Sequence, residues 1–222
     1  MTDDLADGGI WEVPLSARLR ARAEALRAEA DRSPFVRWLT DGALNTAAYH
    51  RYLVCRLEIW RALERALLAN ADAPGLATVI DHRLFRTDAA ARDLARVRAI
   101  EAAVDPPPVA AVADLVARIG RLARAPAGLA GHVYIQHFLF VFLGQHTAHA
   151  VIERLGLEDG PDGGIETFDF EHLGDLATFL QGFRGGLDRA GDDSAASAAI
   201  LAEAEISHRM SIRLLEQLAR PG

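Results

Sequence analysis

At 222 residues the chain is long enough for one domain with a substantial core, and its balance of 50% hydrophobic and 25% charged residues excludes a disordered or fibrous protein. All 24 basic residues are arginine and are outnumbered by 31 acids, giving a formal charge of -7, which argues against a nucleic-acid surface. Cys55 is the only cysteine, so an intrachain disulfide is excluded and the composition suits the cytoplasm.

Met1 to Gly9 is acidic and lacks the basic start and apolar run of a secretion signal. Residues 1–13 read as an acidic extension and 14–219 as a single domain. Pro14 followed by Leu15, Leu19, Ala23, Leu26 and Ala30 predicts a first helix that ends near Asp31 to Pro34. After a turn at Asp41-Gly42, Asn45 is placed to cap a long helix with the stripe Tyr49, Leu53, Leu57, Trp60, Leu63 and Leu67, ending around Asn70 to Pro74. Further amphipathic helices are predicted from about Arg83 to Val104 and from Ala110 to Arg124, separated by Pro106-Pro107-Pro108.

Pro126 and Gly128 precede an apolar helix from about Leu129 to Leu155, followed by a Gly/Asp/Pro loop from Leu157 to Gly164. Gln136, His137, Gln145, His146 and His149 interrupt the apolar stretch, which suits a buried core helix better than a membrane span. Helices from about His172 to Ala190 and Asp193 to Leu218 complete an all-α bundle without internal repeats. Cys55, mid-helix between Tyr52 and Trp60, reads as a small buried hydrophobe.

The segment Arg56-Leu57-Glu58-Ile59-Trp60-Arg61-Ala62-Leu63-Glu64 resembles the aromatic-x-x-Ala-Leu-Glu core of the second long helix of heme oxygenases. Leu84-Phe85-Arg86-Thr87-Asp88-Ala89-Ala90-Ala91-Arg92-Asp93-Leu94 is similar to the same family's Leu-x-Arg-x-x-Ala-Leu-x-x-Asp-Leu segment, and Glu203-Ala204-Glu205 through Leu214-Leu215-Glu216-Gln217-Leu218 resembles its last helix. The resemblance spans roughly residues 15 to 218. It implies the heme oxygenase fold, with heme between a proximal and a distal helix, cleavage to biliverdin, CO and iron, and an electron-donor protein as partner.

Two positions depart from the family pattern. The family's iron-binding histidine on the first helix aligns with Arg27, and a protonated guanidinium has no lone pair for iron. The carboxylate that orients that histidine aligns with Asp31, four residues on, where an intrahelical ion pair with Arg27 is the simpler expectation. On the distal helix Gly144-Gln145 matches the end of a glycine-rich turn, but Leu139, Phe140, Val141, Phe142 and Leu143 stand where glycines and small polar residues belong. Leu139, Phe140 and Leu143 are expected to project toward the heme slot, where bulk costs strain unless the helices part. Phe140 offers no hydrogen bond at the position that organises the oxygen-activating water, so no catalytic residue is assigned.

Other residues keep the pattern. Arg20, Arg184 and Tyr134 match positions that meet heme propionates, and Arg20 and Arg27 are expected on one helix face as part of a cationic mouth. His208, on the stripe Leu201, Ala204, His208, Ser211, Leu215, takes a position near heme and is the substitute metal ligand. His132, His137, His146 and His149 are further ligand candidates. Two alternatives stand beside heme cleavage: a non-catalytic homologue acting as a binding or regulatory module, and a di-iron oxidase drawing on Glu58, Glu64, Glu203, Glu205 and His208.

Overall fold

The structure, a computed structural model, describes residues 13–41, 44–101, 104–158 and 163–219, without the side chains at 39–41, 101, 143, 145 and 146. The acidic extension before Val13, the Gly42 turn and the middle of the 157–164 loop therefore lie outside the described residues.

Helix α1, Leu15–Asp31, starts directly behind Pro14 and buries only Leu15 and Leu19 fully, so its second half is half-covered or exposed. Pro34 both ends α1 and opens an unanticipated short helix α2, Pro34–Asp41, because a proline ring fits a first helical position where no N–H is required. Phe35 anchors α2 by stacking on Tyr52 with centroids 5.4 Å apart. Helix α3, Thr46–Leu68, is capped as expected: the Asn45 side chain accepts the Ala48 N–H at 2.8 Å. All six residues of its predicted stripe are buried, and so are Tyr52, Val54, Cys55, Arg56 and Ile59, which makes α3 the central element.

Helix α4 is Thr87–Glu101 rather than starting at Arg83, since residues 82–84 form a 3-10 turn. Its start is set from outside the helix. Glu64 on α3 accepts the N–H of Arg86 at 2.6 Å and of Thr87 at 3.2 Å, filling the unsatisfied donors of the first turn. Helix α5, Ala110–Leu122, follows the proline run, and both α4 and α5 pack on α3.

The predicted single helix 129–155 is interrupted. Helix α6, Leu129–Val133, passes into a π-turn at Tyr134–Phe138 and then into α7, Leu139–Leu155, which Gly156 ends in the left-handed conformation at φ 64°. The Leu139 N–H bonds the Tyr134 carbonyl, five residues back. The Gln136 carbonyl instead accepts the Trp60 indole N–H at 3.1 Å and the Arg56 guanidinium at 3.2 Å. Side chains from α3 thus enter the helical ladder, which is the physical origin of the extra residue in the turn.

Helix α8, Leu176–Ala190, is capped by Asp175, and α9, Ser194–Leu218, by Asp193. Helix α1 lies against both, and α9 crosses α6 at Gly131, where an added Cβ would stand 2.4 Å from the Ile200 carbonyl oxygen. No single described helix is long and apolar enough to cross a membrane. The bent pair 126–142 and 147–155, at 61°, has sufficient length and composition, but its residues 128–134 are all buried in the bundle.

Candidate functional site

Arg20 of α1 and Arg184 of α8 lie close enough for their charges to act on the phenol of Tyr134, the first residue of the π-turn. Burial pushes the Tyr134 phenol up to about 12, while the fields of Arg184 and Arg20 pull against that rise. Both arginines are exposed, and neither makes an ion pair among the described residues. The Glu24 carboxylate also acts on this phenol, so two arginines and one acid surround it, a net cationic mouth suited to carboxylates.

Arg27 does not join it. Its side chain is 75% exposed and pairs with Asp31 at 3.5 Å, the intrahelical arrangement that the spacing predicts. The expected three-arginine mouth thus reduces to Arg20 and Arg184.

Behind Tyr134 an aromatic ladder runs along one face through Phe138 and Phe142. Phe138 stacks on Phe183 of α8 with centroids 4.4 Å apart and planes within 10°. Phe142 is 43% exposed. These two rings were not singled out from the sequence, although the spacing Tyr134, Phe138, Phe142 carries the signal.

Phe140 lies elsewhere than expected. Its ring packs edge-on against Trp60 at 5.1 Å and stacks on Phe168 at 5.4 Å, so it fills the core toward α3. The physical reason is the π-turn: one extra residue per turn rotates everything after it relative to a regular helix. Gly144 likewise answers to that side, since a Cβ there would meet the Phe170 ring at 3.1 Å and the Phe168 carbonyl oxygen at 3.2 Å. Leu139 is half-buried against the core, and the Leu143 side chain lies outside the described residues.

Beneath the π-turn lies a buried polar network that the sequence analysis missed. Arg56 donates to the Gln136 side-chain oxygen at 2.8 Å, and the Gln136 amide donates to Ser207 and Ser211 on α9, both at 2.9 Å. Arg56 is 6% exposed, and burial lowers its affinity for its proton. Among the described residues no carboxylate touches it; its guanidinium stands 4.2 Å over the Trp60 ring and 5.1 Å over Phe140, a cation–π arrangement that offsets part of the lost hydration. The Tyr52, Arg56, Trp60 spacing of four was the legible trace of this stack.

The histidines separate by what they bind. His137 is buried with its Nε2 3.2 Å from Glu64, and burial lowers its pKa against the opposing pull of that carboxylate. His132 holds Glu203 at 3.1 Å, and Arg118 reaches the same carboxylate. Burial alone raises the Glu203 carboxyl, but these two partners bring it down to about 2. His149 is exposed, and the His146 side chain lies outside the described residues. Half-buried His208 makes no hydrogen bond; its Nδ1 is shielded from solvent and unpartnered. It lies on α9, where burial lowers its pKa against the opposing pull of Glu29 on α1, which favours the neutral imidazole with its lone pair.

The di-iron set does not assemble. Glu58 pairs with Arg61, Glu64 with His137, Glu203 with Arg118, and Glu205 with Arg22 and Arg209, at four separate places. No group of three or more metal-binding side chains converges among the described residues.

A family profile described as heme oxygenase matches residues 13–217. The chain belongs to the heme oxygenase family. Among curated relatives of this family member, the heme oxygenase of Porphyra purpurea is 23% identical over 92% of this chain and 86% of its own length. That of Pyropia yezoensis is 22% identical over 92% and 85%. Of solved structures, heme oxygenase-1 of Synechocystis sp. PCC6803, determined in complex with heme, superposes with a TM-score of 0.85 at 22% identity, covering 93% of this chain and 92% of its own. Heme oxygenase from Leptospira interrogans gives 0.83 at 24% identity, over 92% and 99%. The all-α single-domain heme oxygenase fold is thereby established for this family member.

Proposed function

We propose that this chain binds heme, or a related tetrapyrrole, beside the Tyr134–Phe138–Phe142 face, with Arg20 and Arg184 meeting the propionates and His208 supplying the iron ligand. The observation that carries the reading is the mouth itself: two arginines without carboxylate partners brought to one buried tyrosine hydroxyl. The residues fit the group on two further counts. The unpartnered Nδ1 of His208 is a buried polar atom whose cost a metal bond would relieve, and Phe142, 43% exposed at the end of the aromatic ladder, offers flat apolar surface.

Bound heme supplies the family's oxidative chemistry, which ends in biliverdin, CO and iron and draws electrons from a donor protein, here in a cytoplasmic setting. This chain's residues serve binding better than that reaction. Arg27 cannot ligate, and Phe140, turned into the core, places no hydrogen-bonding group over the slot. A binding or regulatory role without turnover is the second reading, favoured by the close Phe138–Phe183 stack between the π-turn and α8.

Hemin titration tests the proposal: a sharp Soret shift completed at one equivalent is expected, and free-hemin spectra at every ratio would overturn it. Adding a reductant to the complex separates the two readings, since catalase-insensitive formation of biliverdin would establish turnover and stable heme would establish the binding role.

A further inference from the structure

A half-open cavity of about 660 Å³ lies between the second half of α3, the first turn of α4 and the 166–172 segment. None of these elements contributes to the Tyr134 mouth, so the cavity is independent of the heme reading. Its acids are largely committed. Glu64 caps α4 and holds His137, Glu166 is paired in two-pronged fashion with Arg92, and Asp169 accepts the Glu171 N–H at 2.8 Å. Asp88, in the first turn of α4, makes no such bond.

Its cations are committed unevenly. Arg86 is 5% exposed and its guanidinium is fixed by neutral carbonyls, those of Phe85 at 2.8 Å, Asp169 at 2.7 Å and Arg83 at 2.7 Å. His172 lies 3.2 Å away and Phe170 beneath it; the charges of Glu64, Asp169, Glu166 and Asp93 reach the guanidinium, but among the described residues no carboxylate oxygen hydrogen-bonds it, and one N–H on the terminal nitrogen facing Asp169 is left over. Arg65, at the exposed rim, makes no ion pair among the described residues. One rigid buried cation and one free rim cation thus share a cavity. Beside them the Phe85 ring and the exposed His82 imidazole stand 4.8 Å apart, and Leu68 leaves 54% of its surface uncovered.

We infer that this cavity is a second binding site, for a small organic oxyanion, a phosphate or carboxylate carried on a flat apolar group. Arg86 and Arg65 hold the oxyanion, because guanidinium groups match its geometry and the buried one is desolvated in advance. Phe85, His82 and Leu68 take the flat group. Asp88 repels added negative charge at the α4 end, which disfavours polyanions.

Calorimetric titration of the full chain without heme, using phenyl phosphate, benzoate and inorganic phosphate as probes, decides the matter. Saturable binding of phenyl phosphate, benzoate or both is expected below about 10 mM, with their ratio identifying the preferred oxyanion. Arg65→Glu, at an exposed position that keeps the fold, should weaken binding at least about tenfold, whereas Arg20→Glu should leave it unchanged. No saturable binding of either aromatic probe, or binding reduced by Arg20→Glu but not by Arg65→Glu, would overturn the site. Equal affinity for inorganic and phenyl phosphate would remove the flat group from it.

Discussion

The indole N–H of Trp60 donates to the backbone carbonyl of Gln136 at 3.1 Å, and this bond between α3 and the π-turn orients the whole distal segment. Trp60→Phe keeps most of the buried ring but deletes the donor, leaving Arg56 as that carbonyl's side-chain partner. A net loss of about 0.5–1.5 kcal/mol is expected, seen as a fall of roughly 1–6 °C in the melting temperature. An unchanged melting temperature would mean that the π-turn persists without the indole.

Gly131→Ala tests the crossing of α6 and α9. The added methyl meets backbone atoms, the Ile200 carbonyl oxygen at 2.4 Å and the Ala204 nitrogen at 2.6 Å, so no side chain can swing aside. Overpacking of about 1–3 kcal/mol should lower the melting temperature by roughly 2–12 °C. Gly120→Ala, inside α5 with nothing within 4 Å, is the clash-free control and should raise stability by about 0.5–1 kcal/mol through helix propensity.

Glu203 gives the chain a definite acid sensitivity. Its folded pKa of about 2 lies below the ordinary glutamate value of 4.5, so the ionised form contributes stability in full above about pH 4.5 and loses it as the pH falls toward 2. Urea unfolding should find Glu203→Gln less stable than the parent at pH 7, with the gap narrowing from pH 4.5 downward. A gap that stays constant to pH 3 would contradict the assignment.

At the mouth, Arg20→Glu and Arg184→Glu should each weaken hemin binding by about 10- to 100-fold, the scale of a charge-assisted bond reversed in sign, and flatten its salt dependence. Arg27→Ala, which removes only an exposed ion pair, should change hemin affinity and stability little, by about 0.5 kcal/mol at most.

His208→Ala should shift the Soret maximum of the hemin complex and alter its ferric electron paramagnetic resonance signal, and added imidazole should restore both. Identical spectra for parent and variant would remove His208 as the ligand while leaving heme binding itself intact, since the mouth is tested separately.

Much of the fold was legible because helix formation is local. The 3.6-residue stripe of α3, the Asn45 cap and the Arg27–Asp31 pair are each properties of a short stretch of chain, and each is found where its spacing puts it. The resemblance of 84–94 and 203–218 to heme oxygenases likewise rests on order and residue type, and the family match covers the same domain. Less legible was the start of α4, which depends on Glu64 supplied from another helix.

By itself, the sequence determined an all-α heme oxygenase domain and the local Arg27–Asp31 pair. Only the tertiary structure decided which way the distal helix faces. Trp60 and Arg56, some 80 residues away in the chain, capture the Gln136 carbonyl and open the π-turn, so Phe140 enters the core while Phe138 and Phe142 take the other face. The same holds for the dispersal of the glutamates and for the bare Nδ1 of His208. A helical period is set by neighbours three and four residues apart, whereas the direction of a side chain after an inserted residue, and the partner it meets, is set by whichever element packs against it.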